Sequence, residues 1–241
     1  MGWSRLSARF ETPDEFPEST LFQIFAKVCN LRASNSSDYT TTLTSALTID
    51  TDLAEWVATL PLECKYTTVT LRSKSKDFLS DYHHSYRDIG TATLWNHYRS
   101  IRILVNEIVL DQFIHLKELF SPDSAPDILS LYESQIRASK FTIMKLIYDI
   151  CASVPFHLRY HNNREGWQSV PAPPRAVNGR NLLWPLYVAG KTSLCPEAAR
   201  AWVVGRLEAI GERMGIRRAD ALARVVKAKK VVPLWDIKDT E

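Results

Sequence analysis

Leu94-Trp95-Asn96-His97-Tyr98-Arg99-Ser100-Ile101-Arg102-Ile103-Leu104-Val105 is the stretch that decides the fold class. Leu94, Tyr98, Ile101 and Val105 recur at the helical period, and Ile108, Leu116 and Leu119 continue it. Trp95, Ile103, Leu104, Val109 and Phe113 add apolar surface on other faces. A helix that is apolar nearly all round is buried on most sides, so a helix from about Ile89 to Phe120 is expected at the centre of the core.

On the C-terminal side, Ser121 to Pro126 reads as a turn, with Pro126 suited to a first helical position. Ile128, Tyr132, Ile136, Ile143, Ile147 and Ile150 predict a second long helix, antiparallel to the first and ended by Pro155. Residues 156–178 are polar and hold Pro171, Pro173 and Pro174, which predicts an exposed loop. Apolar structure restarts over Leu182 to Val188. A helix opens at Cys195-Pro196-Glu197, carries Val203, Leu207, Ile210 and Met214, and is capped by Gly215. A last helix covers Arg217 to Lys230.

On the N-terminal side, residues 1–18 hold Pro13 and Pro17 and read as an irregular lead-in. Ser19 to Leu31 is an amphipathic helix with Leu21, Ile24, Phe25 and Val28 at helical spacing; Ser34 to Asp38 is a polar turn. Thr42 to Leu60 is a second helix presenting Leu43, Leu47, Trp56 and Leu60. Tyr66 to Leu71 alternates like a strand, but a lone strand has no partner, so an extended loop is expected. Asp77 to Tyr86 is rich in polar and aromatic residues and reads as a start of the next helix. The expected architecture is all-α, an irregular bundle of about seven helices in a single domain over 19–230, with a tail over 231–241.

Composition narrows the function classes. The 241 residues are 45% hydrophobic and 24% charged, ordinary for a folded protein. A net charge of +3 is too small for a nucleic-acid coat. Cys29, Cys64, Cys151 and Cys195 are scattered, which favours reduced, mostly buried thiols over disulfides or zinc ligands, and an intracellular setting. No apolar run suits a signal peptide or a membrane span.

Reactive constellations are missing. There is no nucleophile elbow and no phosphate-cradling glycine loop. Asp77, Asp81 and Asp88 are too dispersed to hold magnesium as helical cyclases do. His157 and His161 have a metal-compatible spacing, yet they read as a solvated loop pair; the adjacent His83 and His84 point to different faces. Gly211 to Gly215 matches GxxxG, which in a soluble helix means close packing or a cap. Arg213, Arg217, Arg218, Arg224, Lys227, Lys229 and Lys230 form a basic cluster, opposed by Asp220. It is either a patch for an acidic partner or nucleic acid, or the solvated face of a terminal helix with Lys229 and Lys230 favoured by the dipole.

Three segments together resemble a known family. Leu94-Trp95-Asn96-His97-Tyr98-Arg99-Ser100-Ile101-Arg102-Ile103 is similar to the W-N-x-Y-R-x-x-R-I helix in the regulatory domain of fungal zinc-cluster transcription factors. Leu183-Trp184-Pro185-Leu186-Tyr187-Val188-Ala189-Gly190 resembles a later stretch of that domain. Arg200-Ala201-Trp202-Val203, with Leu207, Ile210-Gly211 and Met214-Gly215-Ile216, resembles the helix after it, and Ile150-Cys151-Ala152-Ser153-Val154-Pro155 fits the helix end before the family's variable loop. The likeness covers about residues 45–230. It implies a nuclear, non-enzymatic regulator of transcription that works through protein partners of the transcription machinery or a family member. The family's six-cysteine zinc cluster is not in this sequence, so its zinc ligands and base-reading residues carry over to no position here. The expectation is therefore no zinc, no cofactor and no specific DNA binding by this chain alone.

Trp95, Tyr98, Trp184 and Trp202 are expected to bury large areas. Arg99 and Arg102 share one helix face and either pair with buried carboxylates or helix ends, or contact an effector. A metabolite-binding helical sensor is the alternative function, and an unrecognised helical enzyme a further one.

Overall fold

The computed structural model describes residues 17–34, 38–73, 75–119, 126–158, 160–163, 166–169 and 176–229. Among them are seven α-helices: α1 Pro17–Ala33, α2 Tyr39–Thr59, α3 Ile89–Glu118, α4 Pro126–His157, α5 Ala176–Lys191, α6 Glu197–Met214 and α7 Arg217–Lys227. Two hairpins join them, β1 Thr67–Thr70 with β2 Tyr82–Ser85, and β3 Tyr160–Asn163 with β4 Gly166–Ser169. The protein is predominantly all-α, as its periodicity predicts. Most of the N-terminal lead-in, most of the Ser34 to Asp38 and Ser121 to Pro126 turns, Lys230 and the tail lie outside the described residues. No helix among the described residues is long and apolar enough to cross a membrane.

The chain divides into two compact units, residues 1–61 with 101–145, and residues 62–100 with 146–241. In the first unit, Leu21, Ile24 and Val28 of α1 and Leu43, Ala46, Ile49, Leu53 and Trp56 of α2 are buried. The sequence reading differs in detail. Leu47 is exposed, because the small Ala46 takes the inward position beside Ile49 and Leu53. Asp38 caps α2 by accepting from the Thr40 and Thr41 amides at 3.0 and 3.2 Å. The Thr41 hydroxyl, which also donates to Asp38, and then these amides hold its carboxyl below the usual range. Trp56 Nε1 donates to the Pro17 carbonyl at 2.8 Å, and Lys27 pairs with Asp52 at 2.7 Å, which ties α2 to α1. At the far ends of the long helices, Lys117 meets Glu133 and Phe113 meets Tyr132.

The second unit corrects three expectations. Tyr66 to Leu71 is not a loop: β1 pairs antiparallel with β2 in the register Thr68 to His84 and Val69 to His83. The partner was hidden because Tyr82 to Ser85 is polar and aromatic instead of alternating. Pro155 does not end α4. The Leu158 amide donates to Val154 O at 2.9 Å, and burial of Val154 and Leu158 carries the last turn past a proline that costs about 3 kcal/mol in a helix interior. Residues 156–178 are not a plain loop: they contain the second hairpin, in the register His161 to Gln168, and the start of α5.

α5, α6 and α7 pack on one another through small residues. A Cβ on Gly211 would meet the Asp220 carboxylate at 2.1 Å, and one on Gly179 would meet Met214 Sδ at 2.4 Å. Gly215 ends α6 with φ 66°, so both halves of the GxxxG reading hold, close packing at Gly211 and a cap at Gly215. Gly215→Ala is expected to cost about 1 kcal/mol from the left-handed backbone. A thermal melt should show this as a midpoint lowered by roughly 2–4 °C.

Candidate functional site

The W-N-x-Y-R segment of α3 builds a buried polar hub in the second unit. Arg99 is 1% exposed. Its Nη1 donates to Tyr86 Oη at 2.6 Å and to Asn96 Oδ1 at 3.0 Å, and its Nη2 lies 3.1 Å from His84 Nδ1. Arginine has only donors, so His84 Nδ1 must offer its lone pair and the ring proton sits on Nε2. That nitrogen faces the buried Asp149 Oδ1 at 3.8 Å. A positive and a negative side chain are thus bridged by a neutral imidazole. The guanidinium also lies over the Tyr66 ring at 4.8 Å.

Asn96 extends the hub into α4. Its Nδ2 donates to Ser153 Oγ at 2.8 Å and to His157 Nε2 at 3.2 Å, which puts the His157 proton on Nδ1. Ser153 in turn donates to the Ile150 carbonyl at 2.6 Å. Trp95 Nε1 donates to the Cys64 carbonyl at 2.6 Å, and its ring meets Tyr66 and Tyr98 edge-on. Helix α3 thereby fixes the 3₁₀ turn Leu62–Cys64, the first hairpin and the end of α4 within this unit.

Electrostatics follow from burial. Burial pushes Tyr86 up to about 12 against the pull of Arg99. It pushes His157 down to about 4. Burial also opposes the Arg99 charge, but Tyr86, Tyr66 and Asp149 outweigh it and the net shift is upward. The hub holds one charge by neutral acceptors, aromatic faces and one nearby carboxylate.

This geometry decides several expectations. Arg99 is enclosed within its unit. It pairs chiefly with Tyr86, Asn96 and His84, with Asp149 behind, instead of directly with a carboxylate. Arg102 belongs to the first unit. There it grips Asp50 bidentately, Nε to Oδ1 at 2.8 Å and Nη2 to Oδ2 at 3.1 Å, with Asn106 Nδ2 on Oδ1 at 2.9 Å. The two arginines form separate networks. His157 is not a solvated loop residue; it is buried in the last turn of α4, and the side chain of His161 lies outside the described residues. Among the described residues, no group of three or more His, Cys, Asp or Glu is placed to hold a metal. Trp184 and Trp202 are half-buried, less than expected; Trp202 Nε1 reaches the Lys76 carbonyl at 3.3 Å.

Arg200 has a role that spacing did not reveal. It is buried, and its guanidinium donates to three backbone carbonyls, those of Gly190, Thr192 at 3.0 Å and Cys195 at 3.1 Å, with the Glu197 carboxylate near Nε at 3.7 Å. It thus satisfies the open C-terminal end of α5 from the following helix. His84, Tyr86 and Asp149 were also missed, since nothing local in sequence marks them as Arg99's neighbours.

The basic cluster separates into two groups. Arg213 lies in the last turn of α6, Arg224 and Lys227 in the last turn of α7, and Lys229 pairs with Glu197 at 3.1 Å. Arg217 and Arg218 instead open α7, beside an open groove of about 520 Å³ that also receives Arg180. Lys230 lies outside the described residues.

A predominantly helical protein whose signature residues form a buried polar hub, with a basic groove at one helix turn, is the class the fold defines. Comparison with known proteins adds one likeness. Over 163 residues, 65% of this chain, the sequence is 29% identical to Transcription factor dbaG of Emericella nidulans. The match spans 35% of that protein's length. No protein-family model matches the chain, and no solved structure matches it. The chain is thus similar to part of a fungal transcription factor.

Proposed function

We propose that this chain is a transcription-regulatory domain of the kind found in fungal zinc-cluster factors, acting in the nucleus through protein partners and not as an enzyme. The observation that carries the reading is the likeness to a fungal transcription factor over 163 residues. The hub adds support: Trp95, Asn96, Tyr98, Arg99 and Arg200, five of the residues that carry the family resemblance, are buried and engaged in the packing or hydrogen bonding of their own unit. Such residues specify a scaffold, which is what a domain that presents a surface to partners requires. A metabolite sensor would gain support from an enclosed apolar pocket, whereas the groove beside the α6–α7 turn and another between α1 and α2 are open to solvent.

The reading carries a biochemical consequence. The chain alone should not distinguish promoter DNA from random DNA. Fluorescence anisotropy at about 150 mM salt should give equal, weak binding, at roughly 10⁻⁴–10⁻⁶ M, to both duplexes. A promoter preference of about a hundredfold, well inside the range of specific binders, would show a base-reading element and overturn this part of the proposal.

A further inference from the structure

We infer that the groove between α5 and the α6–α7 turn takes an acidic peptide bearing apolar side chains. The inference rests on the partner-binding reading above and names the surface and the partner's chemistry. Arg180, Arg217 and Arg218 rim the groove and are exposed; Leu183, Met214 and Ile216 form its floor. Among the described residues, no carboxylate lines it. The groove of about 460 Å³ between α1 and α2 differs in its lining, which includes the acids Asp52 and Glu55 beside Lys27.

The position of the arginines separates function from helix stability. A helix carries partial positive charge at its start, so cations there are disfavoured by about 0.3–1 kcal/mol each and cations in the last turn are favoured. Arg213, Arg224 and Lys227 sit at the favoured ends. Arg217 and Arg218 are the first two residues of α7, and the capping residue Ile216 provides no side-chain acceptor. Asp220 is the acid of that turn, and its carboxylate is lodged against Gly211. Three guanidiniums and an uncapped helix start therefore concentrate positive potential over an apolar floor.

Charge complementarity selects the occupant. A duplex would satisfy the arginines through phosphates but give no apolar partner to Leu183, Met214 and Ile216. An acidic peptide with interspersed leucine or phenylalanine satisfies both. Its carboxylates match the guanidinium forks, and its apolar side chains fill the floor as anchors. The floor is preformed: Met214 and Ile216 close on Gly179, where a Cβ would already collide with Met214.

The test is fluorescence anisotropy of a short labelled peptide alternating Glu or Asp with Leu and Phe, titrated with the full chain at about 150 mM salt. The controls are a Lys-for-acid peptide, a Ser-for-Leu/Phe peptide and a random duplex. The variants are R217E/R218E, A176D and I216S. The first two place acids at helix starts and the third adds a capping serine, so each suits its helix end and circular dichroism should confirm folding. The wild-type chain should bind the acidic apolar peptide and neither peptide control. R217E/R218E and A176D should each weaken binding by roughly tenfold or more, and I216S should weaken it as well. Absence of saturable binding, binding unchanged in the variants, or tighter binding to the duplex that the same variants abolish would each overturn the proposal. A transcriptional reporter reads the regulatory role separately. A failed groove beside a responsive reporter removes only this inference, whereas a silent reporter removes the reading on which it rests.

Discussion

Replacing Arg99 by Ala is expected to destabilise the protein by about 3–5 kcal/mol, the loss typical of removing one partner from a buried charged network. The substitution strips acceptors at Tyr86, Asn96 and His84 of their donor and leaves Asp149 buried without the positive charge that His84 bridges to it. Against a total stability of about 5–15 kcal/mol, this threatens folding itself. Urea titration followed by circular dichroism measures the loss. R99M should be as damaging, and adding D149N should recover part of it, because the second change removes a buried negative charge that Arg99 no longer balances. Recovery would appear as a coupling of roughly 0.5–3 kcal/mol. The half-exposed Arg102 is the internal control; R102A should cost only about 1 kcal/mol, since solvent screens its bond to Asp50. A loss at Arg99 no larger than at Arg102 would mean that the hub does not hold its unit together.

The second large effect is in acid. His157 titrates near 4 in the folded chain against an ordinary value of 6.5, because it is buried. The unfolded chain therefore takes up the proton first. Stability from neutral His157 is complete above 6.5 and is lost as pH falls towards 4, by roughly 3 kcal/mol over that interval. His83 and His97, also lowered by burial, act with the same sign. The alkaline limb has the opposite sign. Tyr86 near 12 and Cys195 near 11 are both raised by burial, so their contribution is complete below their ordinary values and is lost as pH climbs through the folded ones. Denaturation midpoints should peak between the two limbs. H157Q should flatten the acid limb even though it lowers the plateau. An unchanged acid limb in H157Q would place the titrating group elsewhere.

Much of the fold was readable because long helices advertise themselves by period. The α3 stripe of Leu94, Tyr98, Ile101 and Val105 is buried as its spacing requires, and Gly215 caps α6 as its position suggests. What the sequence hid was non-local. Nothing near Thr67 to Thr70 shows that Tyr82 to Ser85 will pair with them, and a β-hairpin of four-residue strands carries too little alternation to declare itself. The hub was half legible: Asn96 and Arg99 stood out in the W-N-x-Y-R segment, but His84 and His157 reach them from other elements, and Asp149 stands behind His84, only through folding. The proline at 155 misled because local propensity favours a stop, whereas burial of Val154 and Leu158 overrides it. The basic cluster looked uniform in sequence; only the helix boundary at Arg217 divides arginines that the dipole favours from those that it opposes.

The most direct measurement of the central claim is transcriptional. The full chain, fused to an unrelated DNA-binding domain and targeted to a reporter promoter in a filamentous fungus, should change reporter output several-fold, up or down, relative to the DNA-binding domain alone. The fusion should need no promoter sequence beyond the site that the unrelated domain reads. Output identical to that of the DNA-binding domain alone, with the fusion folded and present at the same level in the nucleus, would contradict a regulatory role.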